Sequence, residues 1–172
     1  MYLHHLTRSV NSAAVLEKDV EMLQFLLSRG ADPNRNTNYG GATPLELAAY
    51  VSSVPIIETL LDAGAHYQGY KALANAAYYG RVNVITVLLD RGADIDAFPI
   101  KRGFYNDHVA MNALGSAAKN GKLAAVELLL ERNADVDIRD TMGRSATDLA
   151  RLHGHTRCAK VLDEYARLKG GK

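Results

Sequence analysis

One cysteine in 172 residues, Cys158, leaves no partner for an internal disulfide and fits a reducing compartment, the cytosol or the nucleus. Charge of one sign is also lacking. Twenty basic side chains face nineteen acidic ones, for a formal net charge of +1, so no global field points to nucleic acid or an anionic membrane. No run of eighteen apolar residues occurs, so no transmembrane helix is expected, and MYLHHLTRSV at the N-terminus has no apolar core of signal-peptide length. Catalytic signatures are missing too. There is no Gly-rich phosphate loop, no nucleophile elbow and no HExxH, and the acidic residues are spread as expected for solvated faces. No enzyme activity, small-molecule substrate or cofactor is expected. With 48% apolar and 23% charged residues, the composition is that of an ordinary folded domain.

What the chain does have is repetition. LLSRGAD at Leu26–Asp32, LLDAGAH at Leu60–His66, LLDRGAD at Leu88–Asp94 and LLERNAD at Leu129–Asp135 are copies of one segment. Ahead of each lies an Ala-rich stretch, a turn and an apolar helix. The turn slot holds Lys18, Ser52, Gly80, Gly121 and Gly154. Twelve residues after the first four of these come Gly30, Gly64, Gly92 and Asn133. Gly and Asn most readily take the left-handed conformation that ends a helix.

Counting four, five, eight and nine past each turn gives Met22, Leu23, Leu26 and Leu27, then Ile56, Ile57, Leu60 and Leu61. Val84, Ile85, Leu88 and Leu89 follow, and then Ala125, Val126, Leu129 and Leu130. This is the stripe of a helix with one buried face. Pro55 suits the first turn of its helix, and Ser53 is expected to cap it. The first helix of each unit buries small residues instead: Ala48 and Ala49, Ala76 and Ala77, Ala117 and Ala118. Thin inner helices and thick outer ones predict a stack that curves, first helices on the concave side.

Gly41-Ala-Thr-Pro-Leu-Glu-Leu-Ala-Ala49 resembles the G-x-T-P-L-H-x-A-A signature of ankyrin repeats, and Gly92-Ala-Asp94 resembles that family's G-A-D ending. The step of 33 residues from Gly121 to Gly154 is the family's period. The resemblance covers nearly the whole chain. It implies an all-α solenoid of about five stacked helix–turn–helix units with protruding finger loops. The units fall at about 1–34, 35–67, 68–97, 98–137 and 138–168, with 169–172 as a tail in one domain. The stretch from Arg167 on reads as frayed or a linker.

Departures from the pattern are informative. Only the second unit keeps Thr43-Pro44-Leu45; the first reads Ser9-Val10-Asn11. Gly64 to Gly92 spans 28 residues and Gly92 to Asn133 spans 41, so the finger before the third unit is short and the one before the fourth is long. In the fifth unit Asp163 stands where others carry a second Leu, as suits a terminal repeat with one face in water. The first unit is a poorer cap. Phe25 and the Met22–Leu27 run leave an apolar outer face unless residues 1–7 fold over it. A self-associating scaffold segment of a larger protein is therefore the alternative reading, although a monomer is expected.

The resemblance also implies where a partner would bind, namely the pair of residues before each turn and the fingers. The pairs are Leu16-Glu17, Tyr50-Val51, Tyr78-Tyr79, Lys119-Asn120 and Leu152-His153. The fingers include Tyr39 and Ala42, Tyr67, Gln68 and Tyr70, Phe104, Tyr105, His108 and Met111, and Met142 and Arg144. Seven of the nine tyrosines fall in these sets. Tyrosine offers large contact area at low entropic cost with a hydroxyl for hydrogen bonding. The expected function is a non-catalytic module that holds a protein partner on a Tyr-rich face, centred on Tyr50, Tyr70, Tyr78 and Tyr79.

Two other readings are weaker. His153-Gly-His155 with Cys158 has metal-ligand residue types, but Gly154 is the turn and Cys158 fills a core slot, so no metal is expected. Nucleic-acid binding needs a basic stripe, and Lys71, Lys101, Arg102, Lys119 and Arg144 are interrupted by Glu17 and Asp107.

Overall fold

The LLxxGA segments and the inter-helix turns are the same device used twice per repeat. In each tetrad the amide after the Gly or Asn donates to the carbonyl of the first Leu. The bonds are Ala31 to Leu26 at 3.1 Å, Ala65 to Leu60, Ala93 to Leu88 and Ala134 to Leu129 at 2.9 Å each. The inter-helix turns close the same way: Asp19 to Ala14 at 2.9 Å, Ser53 to Ala48 at 3.3 Å, Arg81 to Ala76 at 2.8 Å, Lys122 to Ala117 at 3.0 Å and His155 to Ala150 at 2.8 Å. Closure of this kind puts the residue before the donor at positive φ. All nine such residues are there, the non-glycines Lys18 (57°), Ser52 (58°) and Asn133 (65°) included.

The computed structural model describes residues 12–35, 42–66, 71–98 and 111–170, and among these all regular structure is helical. The short and long fingers centre on residues outside this set, as do residues 1–7. Two units are distinguished, Met1–Gln68 and Gly69–Lys172. The first holds α1 (described over residues 12–16), α2 (Val20–Ser28), α3 (Pro44–Val51) and α4 (Val54–Asp62). Here α3 pairs with α4, and α4 packs on α2. The second unit holds α5 (Lys71–Tyr79), α6 (Val82–Asp90), α7 (Ala113–Lys119), α8 (Leu123–Glu131), α9 (Ala146–Leu152) and α10 (Thr156–Gly170). Helices α5, α7 and α9 lie side by side in one layer. Helices α6, α8 and α10 form a second layer, and each hairpin joins the two.

Residue size explains the layers. Ala76, Ala77, Ala117, Ala118 and Ala150 are fully buried, and their lack of bulk lets α5, α7 and α9 approach closely. Nearly all of α7, Ala113 to Ala118, is buried, because α5, α9 and α8 surround it. The branched residues of the second layer, Val84, Ile85, Leu88, Val126 and Leu129, fill the space between layers and are likewise fully buried.

First helices are started by side-chain caps. Thr43 and Glu46 form a reciprocal capping box in α3, at 3.2 and 3.0 Å, and Ser145 and Asp148 do the same in α9. Glu46 stands where the family signature has His, and the box gives this buried carboxylate its place. Asn112 caps α7 by accepting from the Gly115 amide at 2.9 Å.

The expected stripe is corrected in places. Leu27, Leu61 and Leu89 are half-buried; only Leu130 of the ninth positions is buried. Met22 is 44% exposed, while its equivalents Ile56, Val84, Ala125 and Cys158 are buried. Met22 has no earlier repeat among the described residues to cover it. Ser53 is buried but makes no capping bond to α4; Pro55 in the first turn already removes one amide donor there. The stretch from Arg167 is not frayed, since α10 continues to Gly170. The Lys169 ammonium sits 5.0 Å from the centre of the Tyr165 ring, one turn back.

Fingers of neighbouring repeats are tied by a side chain four residues past the helix-ending residue. Asn34 donates to the Gly64 carbonyl (3.1 Å) and accepts from the His66 amide (2.7 Å). Asp96 holds the equivalent place in the second unit and accepts from the Asp135 amide at 3.0 Å. An ionised carboxylate has no proton to offer the neighbouring carbonyl. Burial raises the Asp96 pKa above its usual value, outweighing the Asp135 amide, and the Asp135 and Asp94 carboxylates push the same way.

Three stability predictions rest on this geometry. Each left-handed non-glycine carries a strain of roughly 1 kcal/mol, so Lys18→Gly and Ser52→Gly should each raise the urea midpoint. Gly121→Ala should lower it, with a loss of more than about 2 kcal/mol in unfolding free energy, since φ is positive and a Cβ would overlap the His155 ring. Asp96→Asn restores the donor that Asn34 has and should stabilise by about 1 kcal/mol at neutral pH. A raised folded pKa means that the native state holds the Asp96 proton longer than the unfolded chain. Its contribution is full below the unfolded pKa and is lost as pH rises through the folded one. Urea titrations from pH 3.5 to 7 should therefore show the wild type losing ground to Asp96→Asn as pH rises.

Candidate functional site

Each first helix ends in the left-handed turn just described, so the two residues before the turn leave the buried face. Tyr50 in the first unit is 51% exposed, and Tyr78 and Tyr79 in the second are 47% and 40% exposed. In the second unit the row continues across α7 and α9, which pack in sequence beside α5. Lys119 and Asn120 are half-buried, Leu152 is 61% exposed and His153 is exposed. Tyr78 and Tyr79 meet edge to face, centroids 4.8 Å apart, a geometry favoured by the ring quadrupoles. The Arg81 guanidinium lies 5.9 Å from the centre of the Tyr79 ring. The Asn120 amide donates to the Ser116 carbonyl one turn back at 2.8 Å, which fixes its orientation. This row presents aromatic, aliphatic and polar groups together. Among the described residues it contains no carboxylate.

The finger before the fifth unit is held by one buried side chain. Asp140 accepts from the Met142 amide (2.8 Å), the Arg144 amide (2.9 Å) and the Arg144 Nε (2.8 Å). Burial alone would raise the Asp140 pKa; the Arg144 and Met142 donors outweigh it and hold the carboxyl below its usual value. The result projects Met142, 66% exposed, at the finger tip. Arg144 is thus built into the finger, a use that the sequence reading did not assign to it. Met111 is half-buried beside the start of α7. Tyr39, Tyr67, Tyr70, Phe104, Tyr105 and His108 lie outside the described residues.

Metal and thiol chemistry find no support. Cys158 is 2% exposed. Burial pushes its thiol up, and Glu127 adds to the shift, so the reactive thiolate is disfavoured. The His155 ring packs on the Gly121 turn, away from any ligand set with Cys158. Among the described residues no group of three His, Cys, Asp or Glu side chains could hold a metal ion. No helix among them is long and apolar enough to cross a membrane.

The sequence reading missed a further feature of this edge. The residue after each turn glycine in the second unit, Arg81, Lys122 and His155, lies along the same edge as the Tyr78-Tyr79 row. The signal was available in the repeat alignment, one position past the turn slot.

Comparison with known families agrees with this architecture. The family model described as ankyrin repeats, three copies, matches residues 12–98, just over half the chain, and the single ankyrin-repeat model matches residues 111–141. Comparison with curated proteins gives no match. Ankyrin repeats are in general protein–protein interaction modules, and the family is in general non-catalytic. The matched models, the 33-residue period and the paired left-handed closures in the first four repeats make the chain a member of the ankyrin-repeat family.

Proposed function

We propose that the chain holds a protein partner at the exposed ends of its first helices, with Tyr78 and Tyr79 as the anchors. The observation that carries this reading is the half-exposed edge-to-face pair in a row that runs across α5, α7 and α9. An apolar ring pair costs solvation at the surface and serves no core, so its natural use is burial against another molecule. Lys119, Asn120, Leu152 and His153 extend the contact in the second unit. Tyr50 supplies an equivalent anchor in the first, and Met142 projects from the finger that Arg144 and Asp140 hold. The cytosol or nucleus, where Cys158 stays reduced, belongs to the same proposal.

A few aromatic anchors usually dominate an interface, at roughly 2 kcal/mol or more each. Affinity capture with mass spectrometry, wild type against Tyr78→Ala/Tyr79→Ala, should identify a partner that only the wild type retains. Its affinity for the double variant should fall at least about thirtyfold. Binding retained within a factor of two would refute the role of the pair.

Self-association is the second reading, favoured by α2. Phe25 is 53% exposed beside the 44% exposed Met22, and the Arg29 guanidinium lies 5.1 Å from the centre of the Phe25 ring. On this reading light scattering shows a mass that rises with concentration and returns to that of the monomer, 18.7 kDa, in Phe25→Glu. A constant monomer mass in the wild type removes it.

A further inference from the structure

The residue after the turn glycine in the last three repeats is Arg81, Lys122 and His155, of which Arg81 and Lys122 are cations. In the first two repeats the slot holds Asp19 and Ser53. In the second unit these residues form a continuous edge. The Lys122 stem lies against the Gly80 turn, where a Cβ would meet its Cδ at 3.0 Å. The His155 ring lies against the Gly121 turn, where a Cβ would come within 2.7 Å of its Cε1. Arg81 leans over Tyr79. Lys119 in the last turn of α7 adds a further cation beside them.

Among the described residues of the second unit, acidic residues are kept off this edge. Helices α5 and α7 contain none, and none stands in the first turn of α6, α8 or α10. The acids gather at the far ends of the outer helices instead, where Asp90 and Glu131 close α6 and α8 and Asp94, Asp96, Asp135 and Asp137 follow. Residues 69–172 carry sixteen basic side chains against twelve acidic, while residues 1–68 carry four against seven.

Folding stability does not account for the pattern. Arg81 and Lys122 are the N-caps of α6 and α8 and make no side-chain capping bond, while at the other end Asp90 and Glu131 are each followed by a basic C-cap, Arg91 and Arg132. The helix macrodipole disfavours a cation at the N-terminus. A charge arrangement that opposes helix stability in two successive repeats is accounted for by what it attracts.

We propose that the turn edge of the last three repeats, centred on Arg81 and Lys122 and flanked by Tyr78 and Tyr79, docks an extended acidic segment of a partner protein. The inference rests on the protein-binding reading given above and adds the chemistry of the partner. Helices in contact lie roughly 10 Å apart, and an extended chain in the polyproline II conformation advances about 3.1 Å per residue and turns once in three, so every third side chain faces the same way. A carboxylate at every third residue therefore meets Arg81, Lys122 and His155 in turn, while residues between them lie against the tyrosine rings.

The test is fluorescence anisotropy of the full chain with three labelled probes: a twelve-residue Glu-Ser-Gly repeat peptide, its Lys-Ser-Gly counterpart and a twelve-nucleotide single-stranded DNA. The acidic peptide should bind at least tenfold more tightly than either of the others and weaken as salt is raised. Arg81→Gln and Lys122→Gln should each weaken it about two- to fivefold, and Lys122→Arg should retain it, with circular dichroism unchanged throughout. Equal binding of the acidic and basic peptides, or no loss in the glutamine variants, overturns the proposal. So does tighter binding of the oligonucleotide, which would put a nucleic acid on this edge instead. A captured partner that is lost by Tyr78→Ala/Tyr79→Ala but held fully by Arg81→Gln/Lys122→Gln leaves the protein-binding reading standing and overturns the acidic segment alone.

Discussion

Everything in this fold depends on one hydrogen bond made twice per repeat, an amide reaching back over a left-handed residue to the carbonyl five positions earlier. It stops the helix, satisfies carbonyls that would otherwise be orphaned at its end, and turns the chain. Because the bond is wholly local, it works wherever a residue tolerates positive φ. Apolar positions can then vary: Met22, Ile56, Val84, Ala125 and Cys158 share one slot with no common shape. The closure sets the register, and packing fills what the register leaves.

Register also separates structure from surface. The residue at the turn must satisfy the backbone, the alanines before it must be small, and the residues five and eight past it must be apolar. The pair before the turn and the residue after it answer to none of these demands. In the second unit those unconstrained positions hold Tyr78, Tyr79, Arg81, Lys119, Lys122, His153 and His155, and it is there that this chain differs from a generic array of its family. The scaffold explains why such residues can be displayed; it does not dictate which ones they are.

The parts legible in the sequence were those fixed by local chemistry. Lys18, Ser52 and Asn133 could be placed at turns despite not being glycine, because each aligned with one, and positive φ is what they adopt. The six inner alanines and the exposed Asp163 followed from the same alignment. What could not be read depended on partners distant in sequence or on the ends of the array. Ser53 reads as a helix cap but is buried without capping. Met22 reads as core but has no earlier repeat over it among the described residues. The tie that Asp140 makes to Arg144 within the finger was not read either. The tie from Asn34 to Gly64 and His66 joins residues about thirty positions apart, and no spacing rule announces it. Of the candidate contacts, Tyr50, Tyr78 and Tyr79, in the last turns of their helices and past the buried alanines, reach solvent as expected.

The three left-handed residues that are not glycine are unevenly distributed along the chain. Lys18 and Ser52 strain the two inter-helix turns of the first unit, whereas Gly80, Gly121 and Gly154 leave those of the second relaxed. In an array whose stability is a sum over repeats and their neighbours, such strain is not shared out. Local opening is therefore cheapest at the N-terminal repeats. The chain has a built-in direction of unravelling, and amides around Lys18 and Ser52 will exchange with solvent while those around Gly121 stay protected.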